Sequence, residues 1–147
     1  MGRALLQSDR NAALFIDVLR SYVKARKFEV HDFVVMPDHA HLLITVHGDM
    51  TIEKALQLIK GRFSYRLKNE CGYSGEVWQR GFSEVRVNDR PSFLRYREYI
   101  AQNPIKAGLA ELPEKFPYCF TYLAKLKIAG AKARLSPSAY GTTEVVP

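Results

Sequence analysis

Apolar residues recur at helical spacing early in the chain: Leu14, Val18 and Tyr22, flanked by Phe15, Leu19 and Val23. That spacing predicts an amphipathic helix over residues 9 to about 25. Ser8 is placed to cap it, Asp9 suits its first turn, and Lys24, Arg26 and Lys27 suit the negative end of its dipole. The period then changes. Phe28–Met36 is rich in Phe and Val, and Ala40, Leu42, Ile44 and Val46 alternate with other residues, which predicts an antiparallel hairpin closed at Pro37-Asp38. After the Gly48-Asp49 break, Thr51 can cap a second helix carried by Ile52, Leu56, Ile59, Phe63 and Leu67.

Residues 69–75 read as a loop, and Ser83–Val87, following Val77–Phe82, as a short strand in which Val85 and Val87 share a face. Asn88 or Asp89 can cap a third helix, with Pro91 in its first turn and Phe93, Tyr96 and Ile100 as its apolar stripe. Pro104 disfavours helix in the residue before it, so an end at Asn103 is expected. A short helix is expected near Tyr118–Ile128, and the polar tail, residues 129–147, is expected to be disordered. The order helix, two strands, helix, strand, helix predicts one α+β domain over residues 3–128, an antiparallel sheet with helices on one face.

Composition narrows the partners. With 147 residues the chain has room for one core. Its 22 Lys and Arg against 15 Asp and Glu give a net charge of +7, the footprint expected of a protein that meets a polyanion. On the second helix Lys54, Lys60, Arg62, Arg66 and Lys68 form either a solvated face or a seat for a phosphate backbone. Two distant cysteines, Cys71 and Cys119, with no Cys-x-x-Cys, indicate neither a disulfide framework nor a structural zinc site. A cytoplasmic location without membrane contact is expected, since there is no signal-like or membrane-spanning apolar run.

Chemistry concentrates on the hairpin. On a strand, His39 and His41 point to one face and Ala40, Leu42 and Ile44 to the other. Two imidazoles fixed in this way can share a divalent cation, or can simply be polar residues on an open sheet face. His47 shares their parity but lies further along and is read as a bystander. The surrounding string, Met36-Pro37-Asp38-His39-Ala40-His41-Leu42-Leu43, resembles the metal-binding signature of HUH-class single-tyrosine transposases, and most of all that of REP-associated tyrosine transposases. Tyr99-Ile100-Ala101-Gln102-Asn103-Pro104-Ile105-Lys106-Ala107-Gly108-Leu109 resembles the same family's Tyr-x-x-x-Asn-Pro-x-x-Ala-Gly-Leu motif, and Trp78-Gln79-Arg80-Gly81-Phe82 its segment before the last strand.

The resemblance implies a ferredoxin-like fold, Tyr99 as nucleophile, and Asn103 as a third metal ligand beside His39 and His41. Such a set, two nitrogens and one oxygen, suits Mg²⁺ or Mn²⁺ better than zinc. The implied reaction cleaves single-stranded DNA at hairpins through a 5′-phosphotyrosine and rejoins it. Lys60, Arg62, Arg66 and Arg80 are the expected DNA contacts, and Phe63, Tyr65, Trp78 and Phe82 are either stacking platforms or core. The rival readings are a nucleic-acid-binding module without chemistry and a metal-dependent hydrolase that activates water. Family members begin with a strand before the first helix, of which only a trailing end, Gly2–Leu6, is evident here. The expectation is therefore a truncated first strand, with the sheet left open or completed by another chain as a homodimer.

Overall fold

The computed structural model describes residues 4–126 and 140–145. α1 (Asp9–Lys24) starts where Ser8 accepts a hydrogen bond from the amide of Asn11. β1 (Glu29–Met36) and β2 (His39–Thr45) form the expected antiparallel hairpin, with Met36 opposite His39. α2 (Ile52–Cys71) is capped by Thr51 and ends at Gly72, whose φ of 67° a residue with a Cβ adopts only with strain. β3 (Ser83–Val87), α3 (Arg90–Lys106), a 3₁₀ turn (Pro113–Lys115), α4 (Phe120–Leu126) and β4 (Tyr140–Val145) follow.

Among the described residues the sheet has four strands in the order β1-β2-β4-β3, each neighbouring pair antiparallel. The expected gap beside β2 is filled from within the chain. β4 pairs with β2 on one side and with β3 on the other, so residues 140–145 form a strand where a disordered tail was expected, and the sheet does not stay open at that position. Tyr140-Gly141-Thr142-Thr143-Glu144-Val145 carries β-favouring Tyr, Thr and Val but no apolar alternation, so it shows no strand period when read alone. Flanked on both sides, its backbone donors and acceptors find partners in two ladders. The remainder of the 129–147 segment lies outside the described residues.

Helices cover both faces of the sheet, where one was expected. On one side α1 and α2 bury Phe15, Val18, Leu56, Ile59 and Phe63 against Phe33, Val35, Ala40, Leu42 and Ile44. Phe15 and Phe63 meet edge to face with ring centroids 5.6 Å apart. On the other side α3 packs Phe93 and Ile100 against Val34, Met36, Leu43 and Val87. The reason lies in parity: β1 and β2 carry apolar side chains on both faces, and a sheet that is apolar on both faces needs two covers. The segment around Tyr118 and Cys119 closes the outer edge of β1, with the Val35 amide donating to the Tyr118 carbonyl at 2.8 Å.

α3 runs three residues beyond the expected end. Pro104 lies inside the helix with its ring buried, and its fixed φ is compatible with helical backbone. Its missing N–H leaves the Ile100 carbonyl without the usual donor, and the burial of the ring offsets that loss. The helix closes instead at Gly108, φ 73°, where the Gly108 amide donates to Ile105 and the Leu109 amide to Pro104.

Candidate nucleic-acid active site

Three of the residues singled out from the sequence converge. The rings of His39 and His41 stand edge to face with centroids 5.0 Å apart, and the Tyr99 ring meets His41 in the same way at 5.3 Å. Strand parity puts both imidazoles on the α3 side of β2, and α3 carries Tyr99 across to them. Tyr99 remains 47% exposed, so its hydroxyl is within reach of a large substrate.

The two imidazoles are prepared differently. His39 Nδ1 lies 2.7 Å from Asp38 Oδ1. An Nδ1–H that donates to this carboxylate leaves Nε2 as the ring nitrogen turned to a cation, the arrangement by which carboxylates orient metal-binding histidines. His41 is buried, and burial, followed by the neighbouring His39, lowers its pKa to about 4. At neutral pH it is therefore the uncharged imidazole that a metal requires.

Asn103 lies four residues after Tyr99, on the same strip of α3 and half-buried. Among the described residues no three His, Cys, Asp or Glu side chains gather as a metal cage, so a cation here would depend on the two imidazoles and a neutral oxygen donor. Three donors would leave coordination positions open, unlike the closed four-ligand shell of structural zinc. His47 is engaged elsewhere, with Nε2 2.8 Å from Glu29 Oε2.

The expected DNA contacts divide. Lys60 is drawn into the fold: Nζ donates to the carbonyls of Gln79 and Gly81 at 3.2 and 3.1 Å, lies 5.8 Å from the centre of the Trp78 ring, and has its pKa lowered by burial. Arg66 is bound by Asp17 and Glu70, each at 2.6 Å. Arg62 and Arg80 are exposed. The aromatic candidates divide in the same way. Phe63 is buried and Trp78 packs on it at 5.4 Å, whereas Tyr65 and Phe82 are 62% and 38% exposed. A residue that composition did not single out is Asp38, whose bond to His39 is visible only once the turn is folded.

Comparison with known proteins decides the family. Residues 3–103 match the IS200-like transposases. The chain belongs to that family. A protein assigned as a REP-associated tyrosine transposase in Haemophilus influenzae is 26% identical over 131 residues, which cover 78% of this chain and 74% of that protein. The REP-associated tyrosine transposase of Escherichia coli K12 is 29% identical over 94 residues, 63% of this chain and 54% of the relative. Among solved structures, a REP-associated tyrosine transposase bound to a REP hairpin superposes with a TM-score of 0.70 at 22% identity, covering 92% of this chain and 82% of that one, which shows a shared fold. Among the described residues no helix is long and apolar enough to cross a membrane.

Proposed function

We propose that the chain is a DNA strand transferase that cleaves single-stranded DNA beside a hairpin, using Tyr99 as the nucleophile. The observation that carries this reading is the meeting of Tyr99 with the His39–His41 pair, contributed by elements that are far apart in sequence. A binding module has no need of that convergence. A water-activating hydrolase would use the two imidazoles but has no use for an accessible phenol beside them.

In the reaction, Tyr99 Oη attacks phosphorus as its proton passes to water, and water returns a proton to the departing 3′-oxygen. An O–P bond forms to the tyrosine, and the bond from phosphorus to the 3′-oxygen breaks. That oxygen leaves as a free 3′-hydroxyl, and the 5′-phosphate remains on Tyr99. One bond replaces another of the same kind, so a second 3′-hydroxyl can reverse the step without an energy source. A free phenol has a pKa near 10 and attacks poorly unaided. His39 Nε2, His41 and Asn103 are the residues that would hold Mg²⁺ or Mn²⁺, which when bound would supply charge stabilisation to the phosphate oxygens. Asp38 keeps His39 in the tautomer that this requires, and the buried wall around His41 keeps that ring neutral. Exposed Arg62 and Arg80 offer phosphate contacts, and Tyr65 and Phe82 offer faces for unpaired bases.

Hairpin oligonucleotides labelled on either side of the scission point test the reading. With Mn²⁺, wild type should retain only the 3′-side fragment as a denaturation-resistant adduct. Tyr99→Phe should bind the hairpin and form no adduct. Release of both fragments free of protein would identify a water-activating nuclease, and binding without cleavage would identify a recognition module.

A further inference from the structure

Beneath α3 lies a pair of polar side chains with no part in the site just described. The β1–β2 register slips between Val30, opposite Ile44, and Asp32, opposite Leu43, so His31 is an extra residue in the ladder. Neighbouring side chains on a regular strand alternate faces, and the bulge lets both of these reach the α3 side. His31 meets Phe93 edge to face at 5.6 Å. Asp32 Oδ1 accepts from the Phe33 amide at 2.8 Å, and Oδ2 lies 3.4 Å from Nε of Arg97. The Asp32 side chain is only 5% exposed.

Arg97 occupies the sheet-facing stripe of α3, between buried Phe93 and buried Ile100 and Pro104. The buried charge is Asp32, at 5% exposed, and Arg97, at 37% exposed, reaches in from the edge of the stripe to partner it. Tyr99 stands two residues beyond Arg97, off the stripe, so its aim at His41 follows from how α3 is rotated about its own axis. Apolar contacts at Phe93 and Ile100 permit small rotations and slides. A hydrogen-bonded ion pair is directional and resists them.

We propose that the Asp32–Arg97 pair is a positioning clasp that sets the rotation of α3 on the sheet, and thereby presents Tyr99 to a phosphodiester beside His41. The functional part rests on the reading of Tyr99 as nucleophile. The mechanical part is independent of it. Neither residue touches substrate in this account.

Asp32→Asn keeps the side-chain volume and Arg97→Met keeps most of the length while removing the charge. Hairpin affinity, the single-turnover rate of adduct formation, and hydrogen exchange across residues 90–106, with residues 52–71 as internal reference, should be read on the same samples. The clasp predicts hairpin affinity within about twofold of wild type and a rate lower by on the order of tenfold to a hundredfold, the effect expected of a small misplacement of a reacting group. It also predicts loss of amide protection in α3 with α2 protection intact, and recovery of most of the rate in Arg97→Lys. Wild-type rates and wild-type α3 protection in both variants would overturn the proposal, and so would a rate loss that appears only where α2 loosens as well. If wild type forms no adduct while α3 still loosens in the variants, the nucleophile reading fails and the clasp stands.

Discussion

The two faces of the sheet differ in what is buried there. The α1/α2 face is closed by Phe15, Val18, Leu56, Ile59, Phe63, Leu42 and Ile44, with no ionisable group among them. Among the described residues, the α3 face buries His31, Asp32, His41 and the Cys119 thiol, and is the side from which Tyr99 emerges. Apolar packing is non-directional and tolerant, so the first face can supply stability without specifying an angle. Buried polar groups are costly unless each finds its partner, so the second face supplies fixed geometry at the expense of stability. Both sides of the strands carry apolar packing, but the buried polar groups and the proposed nucleophile share the α3 side.

The largest effect that separates the two faces should come from Phe63→Ala. Removing this fully buried ring should destabilise the fold by roughly 3–5 kcal/mol in chemical denaturation, while the adduct rate per folded molecule stays at the wild-type value. A lowered rate in protein shown to be folded would mean that the faces are coupled.

Somewhat smaller effects should appear as opposing pH dependences confined to the α3 face. Burial raises the Asp32 pKa to about 6 despite the nearby Arg97, so between about pH 4 and 6 the folded state holds the extra proton and this group's contribution falls as pH rises. For His41 the folded pKa, about 4, lies below the ordinary 6.5, so the unfolded state holds the extra proton and stability falls as pH drops through the same range. Each amounts to on the order of 3 kcal/mol, and in wild type they largely cancel. Asp32→Asn should expose the His41 slope, with stability falling toward pH 4. His41→Gln should expose the Asp32 slope, with stability falling toward pH 6. Denaturation midpoints across that window check both signs, and parallel profiles in the two variants would show that these groups are not buried as described.

Next in size is Asp38→Asn, which keeps the shape of the turn but removes the charged acceptor from His39. Calorimetric titration should show Mn²⁺ affinity reduced about tenfold, as expected for loss of a group that orients a ligand, with stability nearly unchanged. The smallest expected effect is at the surface. Arg62→Ala or Arg80→Ala should each lower the salt dependence of hairpin binding by about one charge, whereas Arg66→Ala, whose guanidinium is already engaged by Asp17 and Glu70, should not.

Much of this division is legible in the chain itself. Helical spacing locates α1 and α2, Pro37-Asp38 locates the hairpin turn, and the two motifs name His39, His41, Tyr99 and Asn103 before any coordinate. Tertiary context decides the remainder. β4 has no period of its own and becomes a strand because two neighbours offer it ladders. α3 passes through Pro104 because the ring is buried there. The partners that engage Lys60 and Arg66 are carbonyls and carboxylates brought near only by folding. The bulge at His31 is likewise invisible in a list of residues, since it exists only as a mismatch between two strands.

The central claim is that Tyr99, held against His41 by α3, is the residue that takes the DNA. Trypsin cuts after Arg95, Arg97 and Lys106, so it separates Tyr99, in the peptide Glu98–Lys106, from Tyr96, which lies three residues earlier and packs into the core beneath α3. Mass spectrometry of the nuclease-trimmed adduct after digestion therefore reads the nucleophile directly. The account predicts a nucleotide mass on the peptide Glu98–Lys106 and none on Tyr96-Arg97; the reverse, or a covalent mark on any other tyrosine, would contradict it.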